Sequence, residues 1–124
     1  MKAVIAAFSL LAILVAGVFF NAWKLGNAAV ALSVKADQIL TQAEKGDDCR
    51  ASVRSLQAQW DQQRFFFSLV INHTEFDRLE EDMVLAVAAA DIHAEEDLYL
   101  ALASLSDTFQ HLGDLTGFKA ENLL

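Results

Sequence analysis

AVIAAFSLLAILVAGVFF, residues Ala3–Phe20, carries no charge, and Ser9 is its one polar side chain. Carried on to Trp23, the segment has 21 residues. A helix of that length rises roughly 30 Å, the thickness of a bilayer's hydrocarbon core. Trp23 and Lys24 stand where an interfacial aromatic and a snorkelling cation belong. Residues 1–24 therefore read as a transmembrane anchor, with residues 3–23 in contact with the bilayer. Residues 25–124 are left to form one further domain.

The competing reading is a cleaved signal peptide, with Lys2 as its charged start and Ala29-Val30-Ala31 as a small-x-small cleavage site. Against it, the apolar run is longer than a signal core and closes on Phe19-Phe20, and the cleavage pattern lies well beyond it. A signal anchor is the reading kept. Lys2 and the α-amino group stand on one side, and Lys24 and Lys35 on the other, so positive charge decides little about orientation. The short tail ahead of the apolar run resembles a signal anchor with its N-terminus in the cytoplasm. The expectation is a cell-membrane protein with an extracytoplasmic domain. Cys49 is the single cysteine, so no internal disulfide forms, and a small buried hydrophobe is its expected role.

Outward from the anchor, there is no proline and there are only five glycines, which favours long helices with few tight turns. The apolar residues recur at spacings of three and four, the helical period. Ala29, Leu32, Ala36, Ile39 and Ala43 continue the anchor as a stalk up to Gly46, which reads as a C′ glycine after Lys45. Asp47 and Asp48 then read as a cap and first-turn acid. A second helix carries Cys49, Val53, Leu56, Trp60, Phe67 and Val70 or Ile71 on one face. Asn72-His73-Thr74 interrupts it, and Thr74 with Asp77 resembles a capping box. A third helix presents Phe76, Leu79, Met83, Ala86 or Val87, and Ala90. Asp91 is the expected cap of a fourth, with Glu95, Glu96 and Asp97 in its first turn. That helix buries Leu98, Ala101, Leu105, Phe109 and Leu112, and Gly113 or Gly117 is expected to stop it. The fold class is all-α: one N-terminal transmembrane helix followed by a small antiparallel bundle of three to four helices.

Net charge is −8, and the window from Glu75 to Asp97 carries all of it, with nine acids against Arg78 alone. A field of that sign repels phosphate backbones, which excludes nucleic acid as a partner. The same field attracts basic protein surfaces or cations. Glu80, Glu81 and Asp82 are its densest run and are candidate interaction residues. Phe65 and Phe66 are the others: three consecutive rings, Phe65-Phe66-Phe67, point about 100° apart on a helix. One face cannot bury all three, so either neighbours surround the segment or part of it is a contact patch.

Patterns for chemistry fail at their diagnostic positions. A di-iron bundle needs Glu-x-x-His, which does not occur. The alternating polar residues Asp91, His93, Glu95 and Asp97 suggest a calcium loop, but Glu96 stands where glycine is required and Leu102 where a bidentate Glu is required. His111 between Asp107 and Asp114 reads as a surface pattern, and His73 as a helix-junction residue. There is no nucleophile elbow and no Gly-rich phosphate loop. No catalytic, cofactor-binding or metal-ligating residue is assigned.

The whole chain resembles a bacterial family catalogued as domain of unknown function 4363. The resemblance rests on the Lys2-led anchor, Trp60 midway along the second helix, the His73-Thr74-Glu75-Phe76-Asp77 segment, the Asp97–Leu112 helix and the terminal Glu121-Asn122-Leu123-Leu124. It implies a small membrane protein of Gram-positive, clostridia-like bacteria and transfers no catalytic residue. The functional expectation is a non-enzymatic accessory protein whose bundle binds another membrane or envelope protein. The alternative is a cation- or ligand-sensing module that uses the acidic face.

Overall fold

The helical period that starts at Ala29 does not start a new helix. In a computed structural model, which describes the backbone of residues 1–123 and the side chains of 1–20 and 23–114, one helix, α1, runs unbroken over Lys2–Glu44. Its residues up to Phe20 are exposed, and burial begins at Leu25. The same helix is thus a bare apolar rod at one end and a bundle member at the other. Three more helices follow: α2 (Arg50–Val70), α3 (His73–Asp91) and α4 (Glu95–Leu123). No strand occurs among the described residues.

Each helix packs on its chain neighbours, and α4 closes the ring against α1 along the longest interface of the bundle. Short turns force the up-down-up-down order. The expected faces are the buried ones. Ala29, Leu32, Ala36 and Ile39 meet Val53, Leu56, Trp60 and Phe67 of α2, Leu79, Met83, Ala86 and Ala90 of α3, and Leu98, Ala101, Leu105, Phe109 and Leu112 of α4 in one core. Trp60 is its centre. Its ring lies 5.4 Å from Phe67, 5.8 Å from Phe76 and 5.7 Å from Phe109, within the range in which aromatic pairs attract. Of the two residues expected at the end of the α2 face, Ile71 is half-buried and Val70 is exposed.

Small residues mark part of the α1–α4 seam. Buried Ser33 donates to the Ser106 carbonyl at 3.3 Å, and Ser106 Oγ donates to Asp37 Oδ1. Gly113 is buried at this seam and does not stop the helix, nor does Gly117; α4 continues through both to Leu123. A Cβ on Gly113 would lie 2.8 Å from Val30 Cγ2. The glycine therefore lets two helices approach, a role its sequence context does not distinguish from a stop.

The helix ends correct three further expectations. Gly46 is the C′ glycine, at φ 81°, and donates to the Ala43 carbonyl while Asp47 N donates to Gln42, a Schellman arrangement. But Cys49, not Asp47, occupies the N-cap of α2, and no acid lies in the first turn. Asp48 instead accepts the Arg50 N–H from outside the helix, at 3.1 Å. At α3 the capping residue is Asn72, whose Oδ1 accepts from Glu75 N at 2.8 Å; Thr74 and Asp77 lie inside the helix. Extended backbone at Ile71 and Asn72 sets this entry two residues earlier than the Thr74 pattern suggests. Asp91 is the last residue of α3 rather than the cap of α4. A second Schellman turn forms there, with His93 at φ 56° in the glycine position: His93 N donates to Ala90 O and Ala94 N to Ala89 O. Glu95, Glu96 and Asp97 do fill the first turn of α4, where the helix dipole favours them.

Candidate functional site

The acidic window divides once its partners are known. Glu80 is half-buried and accepts from the Trp60 indole N–H at 3.2 Å and from Arg64 Nε. Asp82 accepts from Ser104 Oγ of α4 at 2.6 Å, and Asp91 pairs with Arg54 of α2 at 2.9 Å. These three acids tie α3 to its neighbours. Glu81, Asp77, Glu95, Glu96 and Asp97 face solvent. The run Glu80-Glu81-Asp82 is therefore not one acidic patch, since its members point toward α2, solvent and α4 in turn.

Of the three consecutive rings, Phe67 is buried while Phe65 and Phe66 are exposed, 5.6 Å apart and edge to face. Phe66 lines a small cleft with Lys24, Leu25 and Gln63, so it faces α1, away from the Glu80 and Asp82 contacts. The aromatic and acidic candidates form separate surfaces.

A surface that the sequence reading did not single out lies between α3 and α4. Asp82, Leu85, Ala88, Ile92, Asp97 and Leu100 line an open groove of about 420 Å³. Leu85, Ile92 and Leu100 remain largely exposed there. The signal was present in the sequence: Leu85, Ala88 and Ile92 recur at three and four, a second apolar stripe on α3 beside the one that enters the core. The groove offers apolar walls and two carboxylates, Asp82 being partly engaged by Ser104.

The groups that could carry chemistry are placed as follows. Cys49 is buried, with its thiol toward the carbonyls of Asp47 at 3.4 Å and Ile39 at 3.9 Å. Burial first, then Asp47 and Asp48, push the thiol up from its ordinary value, opposite to what a nucleophile requires. Asp48 is held at about 2 by the Arg50 side chain, which bonds both its oxygens, and by the Arg50 N–H; Arg50 is raised in turn. That pair belongs to the α1–α2 turn. His111, Asp107 and Asp114 are exposed on α4. Among the described residues no three His, Cys, Asp or Glu side chains are grouped to hold a metal ion.

The fold and its surfaces define an antiparallel four-helix bundle whose first helix is prolonged by a segment long and apolar enough to cross a membrane. The chain belongs to the family described as domain of unknown function 4363, whose model matches residues 19–123. Comparison with curated proteins and with solved structures gives no match.

Proposed function

We propose that this is a non-enzymatic, single-pass membrane protein. Its extracytoplasmic bundle receives an apolar, basic-flanked segment of another membrane or envelope protein in the α3–α4 groove. The observation that carries this reading is the groove itself. Exposed Leu85, Ile92 and Leu100 lie beside Asp82 and Asp97 in the one region that holds the whole charge imbalance. Apolar contact supplies affinity there, and the carboxylates supply steering toward a cationic partner. The groove's lining is mostly apolar, and of its two carboxylates Asp82 is engaged by Ser104 and Asp97 lies in the first turn of α4, an arrangement that favours binding over reaction.

An uncleaved anchor is supported by the packing. Cleavage after Ala31 would strip buried Leu25 and Ala29 from the core and remove Val30 from its seat against Gly113. The family match also spans the Ala29–Ala31 segment.

A photo-crosslinking residue at Leu85, compared with one at exposed Gln59 on α2, tests the docking surface in intact cells. The expected result is a discrete membrane-protein adduct from Leu85 alone, weakened by Asp82→Asn with Asp97→Asn and by salt. Equal adducts from both positions, or none from Leu85, overturn the reading. A C-terminal alkaline phosphatase fusion reports the side of the membrane, and is expected to be active.

A further inference from the structure

Paired contacts between α1 and α2 give the height of each α2 residue along α1. Ser52 Oγ donates to Gln42 Oε1 at 2.9 Å, Lys35 Nζ donates to Ser55 Oγ at 2.5 Å, and Phe66 shares its cleft with Lys24 and Leu25. As α2 advances, it descends α1 toward the apolar rod. By Phe66 it has reached Lys24, the cation at the rod's end. A helix rises 1.5 Å per residue, so Leu69 and Val70 lie roughly 5 Å further down, level with the Phe20–Trp23 pair.

What arrives at that level is apolar. Phe65 is 66% exposed, Phe66 47%, Leu69 68% and Val70 63%. Phe65 to Asn72 carries no charge. Ser68 Oγ donates back to the Phe65 carbonyl at 2.5 Å, which satisfies the one hydroxyl among them. Trp23 of α1 is exposed at the same height. Among the described residues, charges of both signs flank the patch: Asp61 and Arg64 precede it on α2, Glu75, Asp77 and Arg78 follow on α3, and Lys24 lines the Phe66 cleft, so neither attraction to nor repulsion from headgroups dominates.

We infer that the α2–α3 turn is a second membrane contact, its Phe65, Phe66, Leu69 and Val70 seated in the interfacial layer of the bilayer that α1 crosses. This rests on the proposed crossing by α1. The occupant follows from height: a bilayer enclosing residues 3–23 ends where these side chains begin, and water would otherwise cover them. A single helix would leave the bundle free to tilt about the exit point at Lys24. A second contact at the α2–α3 turn holds it upright, with the α3–α4 groove facing clear of the headgroups.

Site-directed spin labelling of the full chain tests the seating. The protein carries Cys49→Ala and one of Leu11→Cys, Leu69→Cys or Leu85→Cys, all three at exposed positions. It is reconstituted in vesicles of phosphatidylcholine and phosphatidylglycerol. Collision rates with oxygen, which enriches in the acyl layer, and with a water-soluble nickel chelate give depth. The expected order is Leu11 in the bilayer interior, Leu69 at the acyl–headgroup boundary with chelate collisions several-fold below those of Leu85, and Leu85 in water. A Leu69 label as open to the chelate as Leu85, with Leu11 still in lipid, overturns the inference and leaves the anchor standing. A Leu69 label shielded from both reagents overturns it in favour of protein contact, such as a second copy. A Leu11 label in water removes the anchor and the inference together.

Discussion

Truncation of Trp60 to alanine measures how far the bundle depends on its aromatic centre. The indole is fully buried and touches rings from α2, α3 and α4. Burial of a Trp removes on the order of 150–250 Å² from water, and at about 25 cal/mol per Å² that is roughly 4–6 kcal/mol as an upper bound. Alanine retains part of it, while the void between Phe67, Phe76 and Phe109 adds a cavity cost. The expected loss is about 3–5 kcal/mol. Glu80 loses the indole N–H but keeps Arg64, so no buried carboxylate is stranded. Trp60→Phe keeps most of the ring contact and loses the hydrogen bond, with an expected cost of about 1–2 kcal/mol. Thermal unfolding of the full chain in detergent micelles, followed by far-ultraviolet circular dichroism, reads both variants, because the apolar part of α1 stays helical and the bundle supplies the transition. For a domain of this size Trp60→Ala should lower the midpoint by at least about 12 °C, with Trp60→Phe in between. An unchanged midpoint for Trp60→Ala, or equal shifts for the two variants, refutes the assignment of Trp60 as the shared packing centre.

Two more predictions concern the seam and the first turn. Gly113→Leu should destabilise by forcing α4 away from Val30, whereas Gly113→Ala in a Val30→Ala background should stabilise by up to about 1 kcal/mol. The same melts in a double-mutant cycle check this, and a destabilised double variant would show that the backbone contact itself requires glycine. Asp48, with its pKa lowered from 3.8 to about 2 by Arg50, contributes stability that is present above the unfolded value and lost as pH falls through the folded one. Carboxyl NMR titration should show Asp48 titrating well below the usual carboxylate range, and Arg50→Gln should return it to that range; a normal midpoint in the parent protein contradicts the Asp48–Arg50 pairing.

Much of the architecture was legible because helix period and chain stiffness are local properties. The uncharged run to Phe20 needs only its length and polarity to mark a helix long and apolar enough to cross a membrane. Spacings of three and four placed Trp60, Leu79, Leu105 and Phe109 inside, and Gly46 closed the first helix where its φ demanded it. What the sequence left open were choices between equivalent local signals. Asn72 and Thr74 are both good caps, and the extended backbone at Ile71 decides which N–H each can reach. Gly113 reads equally as a stop or as a close approach, and only the position of Val30 on another helix separates the two.

The surfaces were the least legible part, for a related reason. The phase set by Trp60 placed Phe67 inward from the sequence alone, but whether neighbouring helices also cover Phe65 and Phe66 was decided only by the packing, which leaves both exposed. The α3–α4 groove exists because α3 carries two apolar stripes and has packed partners for one. The sequence by itself determined that this chain has one long apolar helix and a helical, acidic remainder, since both follow from the period and polarity of neighbouring residues. Only the tertiary structure decided that the second half of α1 is a full member of the bundle, seamed to α4, and that α2 returns toward the end of the apolar rod, because those depend on distances between residues far apart in the chain.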